Sequence, residues 1–174
     1  MGGLRECPAD ALGAIRRELA RGLWYLATVY TKHPDGLHKA YEDANETAAR
    51  VINIFGARVF CPIAHSHSLC AVYGTRGGLT GETDAKFWKW FDEPFLMKSD
   101  GLIVACMPGW EESEGIGHEV KVMEKAGKPI LYLSWPDLAP VKMTRGPLAC
   151  DPSPGLSQPP QLASASFRRS SSDH

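Results

Sequence analysis

Apolar and polar positions follow two rhythms along this chain, and the order of those rhythms predicts its architecture. Leu23 to Thr28 and Gly101 to Met107 are short, nearly continuous apolar runs of the kind found in strands buried on both faces. Arg58 to Pro62 and Pro129 to Leu133 read as two further strands. Between them the period lengthens to that of helices. Tyr41 to Phe55 sets Ala44, Ala48, Val51, Ile52 and Phe55 on one face, and Gly56 stands where a helix C-cap belongs. Asp84 to Lys98 groups Phe87, Trp88, Phe91 and Phe95 on one side, and Pro94 predicts a kink or a new turn there. Ser113 to Ala126 carries the stripe Ile116, Val120 and Met123. Ahead of all these, Leu12, Ile15 and Leu19 recur at helical spacing from Ala9 to Ala20. Ile63 to Gly81, which contains His65, His67, Arg76 and Gly77-Gly78, reads as a long Gly-rich functional loop.

Strands alternating with helices predict an α/β fold: a Rossmann-like or flavodoxin-like parallel sheet of four to five strands with helices on both faces. Residues 23–138 form the expected domain, preceded by an extension, 1–22, with a helical pattern that could be dispensable. Seven of the thirteen prolines fall after Ser134, and no apolar period survives beyond Ala139. The Pro/Ser-rich segment 139–174 is therefore expected to be disordered, and its removal to leave the melting temperature nearly unchanged.

Composition narrows the partners. Nineteen basic against twenty acidic residues leave a formal charge of −1, so no strong field draws the chain to nucleic acid or a membrane. A small-molecule ligand is expected instead. The five cysteines are scattered without a C-x-x-C pair, which suggests reduced thiols in a cytoplasmic protein; no stretch matches a signal peptide or a membrane span.

In an open parallel sheet the ligand crevice lies beyond the carboxyl ends of the strands, so the segments after each strand are the first place to look for chemistry. Pro108 to Glu119 joins a buried strand to a helix, with Ser113 at the N-cap and Gly115 and Gly117 in the first turn, where small residues let a ligand approach backbone N–H groups. Glu119 falls at the edge of the apolar stripe rather than on the face held by Lys121 and Lys125. Periodicity alone equally allows it to pair with a neighbouring cation. Asp92 sits in the same way beside Trp88 and Phe95, and could instead simply close its helix before Pro94. Trp110 could stack on a base or cover the crevice. His118, about 100° around the helix from Glu119, is expected to be exposed. His65 and His67 alternate as at a strand end; no nearby ligand set completes a metal site, so they read as loop residues contacting substrate or backbone. Arg168-Arg169-Ser170 has the form of a basophilic phosphorylation site, a tripeptide that arises often by chance.

Together these segments resemble the nucleoside 2-deoxyribosyltransferase-like superfamily, which includes 2′-deoxynucleoside 5′-monophosphate N-glycosidases. The resemblance covers most of Trp24 to Leu133. It rests on Tyr25-Leu26-Ala27-Thr28, on Phe55-Gly56 before Val59-Phe60, on the Asp92 helix, and on Ser99-Asp100-Gly101-Leu102-Ile103-Val104. Ser113-x-Gly115-x-Gly117-x-Glu119 and Gly127-Lys128-Pro129-Ile130 complete it. The resemblance implies Glu119 as nucleophile, Asp92 as the second acidic residue, Tyr25 beside the nucleophile, and Ser113 on a 5′-phosphate. Beside these, Thr28, Gly115, Gly117, His65, His67 and Trp110 are candidate substrate contacts by their positions along the chain; no cofactor or metal is expected, and a homo-oligomer is. Cys61 to His67 looks most like an uncharacterised branch. Val29 replaces a usual proline or serine, and the tail does not resemble the segment that completes a neighbour's site in oligomeric members. The implied function is N-glycosidic cleavage or 2′-deoxyribosyl transfer through a covalent glycosyl-Glu119 intermediate, with Asp92 protonating the departing base from a raised pKa. Two rivals are a non-catalytic nucleotide-binding module and a phosphoribohydrolase of the cytokinin-activating type. The latter wants an arginine near the Gly-rich motif, and none lies between Pro108 and Glu119.

Overall fold

The computed structural model describes residues 9–73 and 84–144. The Gly-rich stretch with Arg76 and Gly77-Gly78, and the tail from residue 145 on, lie outside them. The elements run α1 (Ala9–Leu19), β1 (Leu23–Ala27), α2 (Gly36–Phe55), β2 (Arg58–Phe60), α3 (Pro62–Tyr73), α4 (Ala85–Lys98), β3 (Gly101–Cys106), α5 (Glu114–Lys125), β4 (Ile130–Ser134) and β5 (Pro140–Thr144). They build one five-stranded sheet of order β2-β1-β3-β4-β5. The first four strands are parallel, and β5 returns antiparallel to β4. This is the α/β, Rossmann-like arrangement that the pattern predicts.

Alternation along β1 divides the core in two. Trp24 and Leu26 point to one face, where Val51 and Phe55 of α2 and Ile15 and Leu19 of α1 cover them. Tyr25 and Ala27 point to the other, packed with Leu96 of α4 and Ile116 and Met123 of α5. Central strand β3 feeds both faces, Ile103 to the first and Leu102 and Val104 to the second. That is why it reads as a continuous apolar run. Gly56 takes the left-handed conformation, φ 67°, and its N–H donates to the Ile52 carbonyl, which ends α2 where the sequence places its cap.

Four expectations are corrected. The helix expected from Tyr41 begins at Gly36, so the turn residues His33-Pro34-Asp35 lead directly into it. The segment after β2 is not a loop at its start: Pro62 to Tyr73 is helix α3, because Pro62 occupies a first-turn position that needs no N–H donor and Ala and Leu follow it. The extension is not dispensable packing, since Leu19 of α1 is fully buried in the first core cluster. Residues 140–144, placed in the disordered tail, form edge strand β5. Its residues are individually exposed or half-buried and leave no apolar period to detect, and backbone pairing with β4 supplies the order. Pro94 lies inside α4, which continues through it to Lys98. Among the described residues no helix is long and apolar enough to cross a membrane.

Candidate active site

The strand order reverses between β1 and β3, the neighbours whose connections leave in opposite directions, and a cavity of about 360 Å³ opens at their carboxyl ends. Its floor is Tyr25 of β1. One wall is α4, with Trp88, Lys89, Asp92 and Leu96; the opposite wall is the first two turns of α5, from Ser113 to Glu119. Thr28 to Lys32 and the start of α3 complete it.

Glu119 sits at the bottom edge of α5's buried stripe, partly accessible from the cavity. The Tyr25 hydroxyl donates to its Oε1 at 2.9 Å. Burial pushes the Glu119 carboxyl up to about 8, with the neighbouring Asp92 charge adding to the rise; the Tyr25 hydrogen bond and the Lys89 ammonium oppose it. Asp92 is half-buried and its Oδ1 has no hydrogen-bond partner. Burial alone lifts this carboxyl to about 6. Tyr25 is pushed up by its own burial first and by Glu119 and Asp92 next, so it remains a hydrogen-bond donor at any physiological pH. The cavity therefore holds two carboxyl groups that share little solvent and one fixed phenol. Burial thus raises both carboxyls, Glu119 further than Asp92, while Tyr25 and Lys89 favour the ionised Glu119.

Ser113 is the N-cap of α5: its Oγ accepts from the Ile116 N–H at 3.4 Å, leaving the hydroxyl proton free to point into the cavity. The N–H groups of the first turn lack intrahelical partners by the geometry of any helix start, and Gly115 presents that turn without a side chain. The loop after β1 is held in place by a contact hidden from solvent, His33 Nε2 to Asp43 Oδ2 at 3.0 Å, with side chains 4% and 3% exposed. Lys39 closes on the same carboxylate. That anchor sets Thr31 and Lys32 at the mouth. Gly109, φ 87°, lets the loop after β3 press against it: a Cβ there would lie 2.6 Å from the Lys32 carbonyl oxygen.

Of the residues expected at the site, Tyr25, Thr28, Asp92, Ser113, Gly115 and Glu119 converge on this cavity. The Thr28 hydroxyl is buried against the Cys61 thiol without a hydrogen bond of ordinary geometry. Four of the expected residues lie elsewhere. Gly117 faces open space on the far side of its turn. Trp110 leans on Tyr132, ring centres 5.7 Å apart, in a different cavity at the β3 and β4 ends. His65 and His67 lie on a helix, where a two-residue step turns them about 200° apart. His65 stacks on Phe91, while His67 Nδ1 and the Tyr30 hydroxyl share a hydrogen bond of 2.8 Å and the His67 ring stacks on Tyr41. Neither reaches the cavity, and no group of metal-binding side chains exists among the described residues. His118, expected to be exposed, is half-buried and lines the cavity. Reading the pattern missed Lys89, three residues before Asp92 on the same helix face; that spacing was the available signal.

A mostly parallel, doubly wound sheet with a desolvated carboxyl pair at its switch point makes this an α/β protein of Rossmann-like arrangement. The chain belongs to the family described as "Domain of unknown function (DUF1937)", which matches residues 22–135. No match was found among curated proteins.

Proposed function

We propose that the cavity binds a nucleoside or nucleotide and cleaves its N-glycosidic bond, by hydrolysis or by 2′-deoxyribosyl transfer. The observation that carries this reading is the Glu119 carboxyl, held by Tyr25 at 2.9 Å and facing a second carboxyl, Asp92, in one desolvated pocket. The resemblance of Tyr25, Asp92, Ser113 and Glu119 to the nucleoside 2-deoxyribosyltransferase-like superfamily supports the same assignment. Ionised Glu119 attacks C1′ of the sugar; the C1′–N bond breaks, and the base leaves with the proton supplied by Asp92. Water or a second base then attacks C1′, returns a proton to Asp92 and releases Glu119. Tyr25 donates to Glu119 throughout and orients it. Ser113, the first turn of α5 and the flanking Lys32 and Lys89 suit an anionic group such as a 5′-phosphate. Burial raises both carboxyls, while the Tyr25 hydroxyl and the Lys89 ammonium favour the ionised form of Glu119 that attacks.

The test is incubation of the purified protein with a panel of nucleosides and 5′-monophosphates, with released base followed by chromatography. Base release from at least one class is expected, and Glu119→Ala should abolish it while still binding ligand. A slow 2-fluorinated substrate should add the mass of one sugar to the peptide containing Glu119. Binding without cleavage across the whole panel would replace this reading by the non-catalytic module, and full activity in Glu119→Ala would remove Glu119 as nucleophile.

A further inference from the structure

A second cavity, about 470 Å³, opens at the carboxyl ends of β3 and β4, on the other side of the Pro108-Gly109 turn from the carboxyl pair. It is lined by Trp110 and Trp135 together with Cys106, Pro136 and the exposed Glu111 and Glu112. Both indoles are half-buried and rooted in the core: Trp110 packs with the second cluster and Trp135 with both. Their position is set by the fold rather than by a mobile loop. The only charged side chains lining this cavity are the two carboxylates, and neither has a cation within 4.0 Å among the described residues. Arg50 donates one guanidinium N–H to the carbonyl of Pro136, a lining residue, and faces Glu46. Glu111 is close enough that its charge, after burial, raises the Cys106 thiol.

The same neighbourhood already carries a cation on an aromatic face. The Lys142 ammonium lies 5.9 Å from the centre of the Tyr132 ring, the ring on which Trp110 leans. We propose that this cavity is a binding site for a small organic cation, a quaternary or protonated alkylamine, seated between Trp110 and Trp135 with its charge answered by Glu111 and Glu112. Indole faces attract a cation through the ring quadrupole and also bury its alkyl groups, which inorganic cations lack; the exposed carboxylates draw it in and leave it partly hydrated. The site is independent of the glycosidic chemistry proposed for the other cavity.

The test uses choline and its uncharged isostere 3,3-dimethylbutanol as probes, observed by fluorine NMR on full-length protein labelled with fluorotryptophan. The five signals are assigned by single Trp→Phe variants. Choline should shift the Trp110 and Trp135 signals saturably, in the millimolar range, and leave Trp88 unmoved; the neutral isostere should bind at least about tenfold more weakly. The exposed pair Glu111→Gln and Glu112→Gln, which removes charge without touching the core, should weaken choline about tenfold. Equal binding of the isostere would make this a plain apolar cleft and overturn the proposal. So would a shift confined to Trp88, which would put the cation beside Asp92 and Glu119, or no saturable shift up to about 50 mM. These outcomes are read without any assay of base release, so failure here and failure of the glycosidase reading are distinguishable.

Discussion

Replacing Glu119 with glutamine keeps the shape and the acceptor for the Tyr25 hydroxyl while removing the charge. In the folded protein burial raises this carboxyl from 4.5 to about 8. The folded state therefore holds a proton that the unfolded chain releases, and stability contributed by Glu119 is full below about pH 4.5 and lost as pH rises through about 8. At about 1.4 kcal/mol per unit the ceiling is about 5 kcal/mol. Glu119 borders an open cavity, where water and rearrangement of Lys89 relieve part of the cost, so about 1–3 kcal/mol is expected. Thermal melts of both proteins, followed by circular dichroism, supply the assay. Near pH 4.5 the two should melt within about two degrees of each other. Near pH 9 the Glu119→Gln protein should melt higher by about 4–15 °C, using the shift per kcal/mol of a domain this size. Since the comparison is between two proteins at one pH, titration of groups remote from Glu119 cancels, and the coupled Asp92 and Tyr25 contribute to the difference. A constant difference at both pH values would refute the argument, because it would mean that packing or the Tyr25 hydrogen bond, not buried charge, sets the stability of this position.

Four other outcomes follow from the geometry. Should base release be found, kcat/KM should trace a bell with limbs near 6 and 8, the values of the carboxyl pair, with its maximum near neutrality; a flat profile from about pH 5 to 9 would exclude this pair from the chemistry. Tyr25→Phe removes the donor that holds Glu119 ionised, so the upper limb should move further up and activity at pH 7 fall about 3–10-fold, while a profile with unmoved limbs would show that the phenol has no electrostatic role. Gly109→Ala forces a Cβ to within 2.6 Å of the Lys32 carbonyl at a positive φ, and should cost about 1–3 kcal/mol in urea unfolding; an unchanged midpoint would mean the two loops part freely. Truncation after Ala139 removes β5 and its pairing to β4, and should lower the melting temperature by at least about 5 °C, against the near-zero change expected if the segment had no structure.

Where burial is complete, the sequence is an adequate guide to this fold. Strands β1 and β3 and helices α2 and α5 bury whole faces, so their apolar periods survive every local compromise, and with Gly56 and Ser113 at helix ends they determine the parallel α/β order. Glu119 and Asp92 stand out in the same way: a carboxylate at the edge of an apolar stripe is visible because it breaks a rule. What the pattern does not contain is the partner of each anomaly. That the Tyr25 hydroxyl meets Glu119, 94 residues away, follows from β1 lying beside β3 and facing α5, a fact of strand order that no local window holds. Elements that bury little, such as β5, or that mix polar and apolar residues without a helical period, such as α3, take their form from neighbours. The two histidines of α3, and Trp110 in the loop after β3, lie outside the cavity of Glu119. Residue type marks them as capable of contact, but only the turn of a helix or the course of a loop decides which cavity a side chain enters. The desolvation that raises Glu119 above Asp92 is likewise tertiary, because it is set by how much of each carboxyl the packed helices α4 and α5 hide from water.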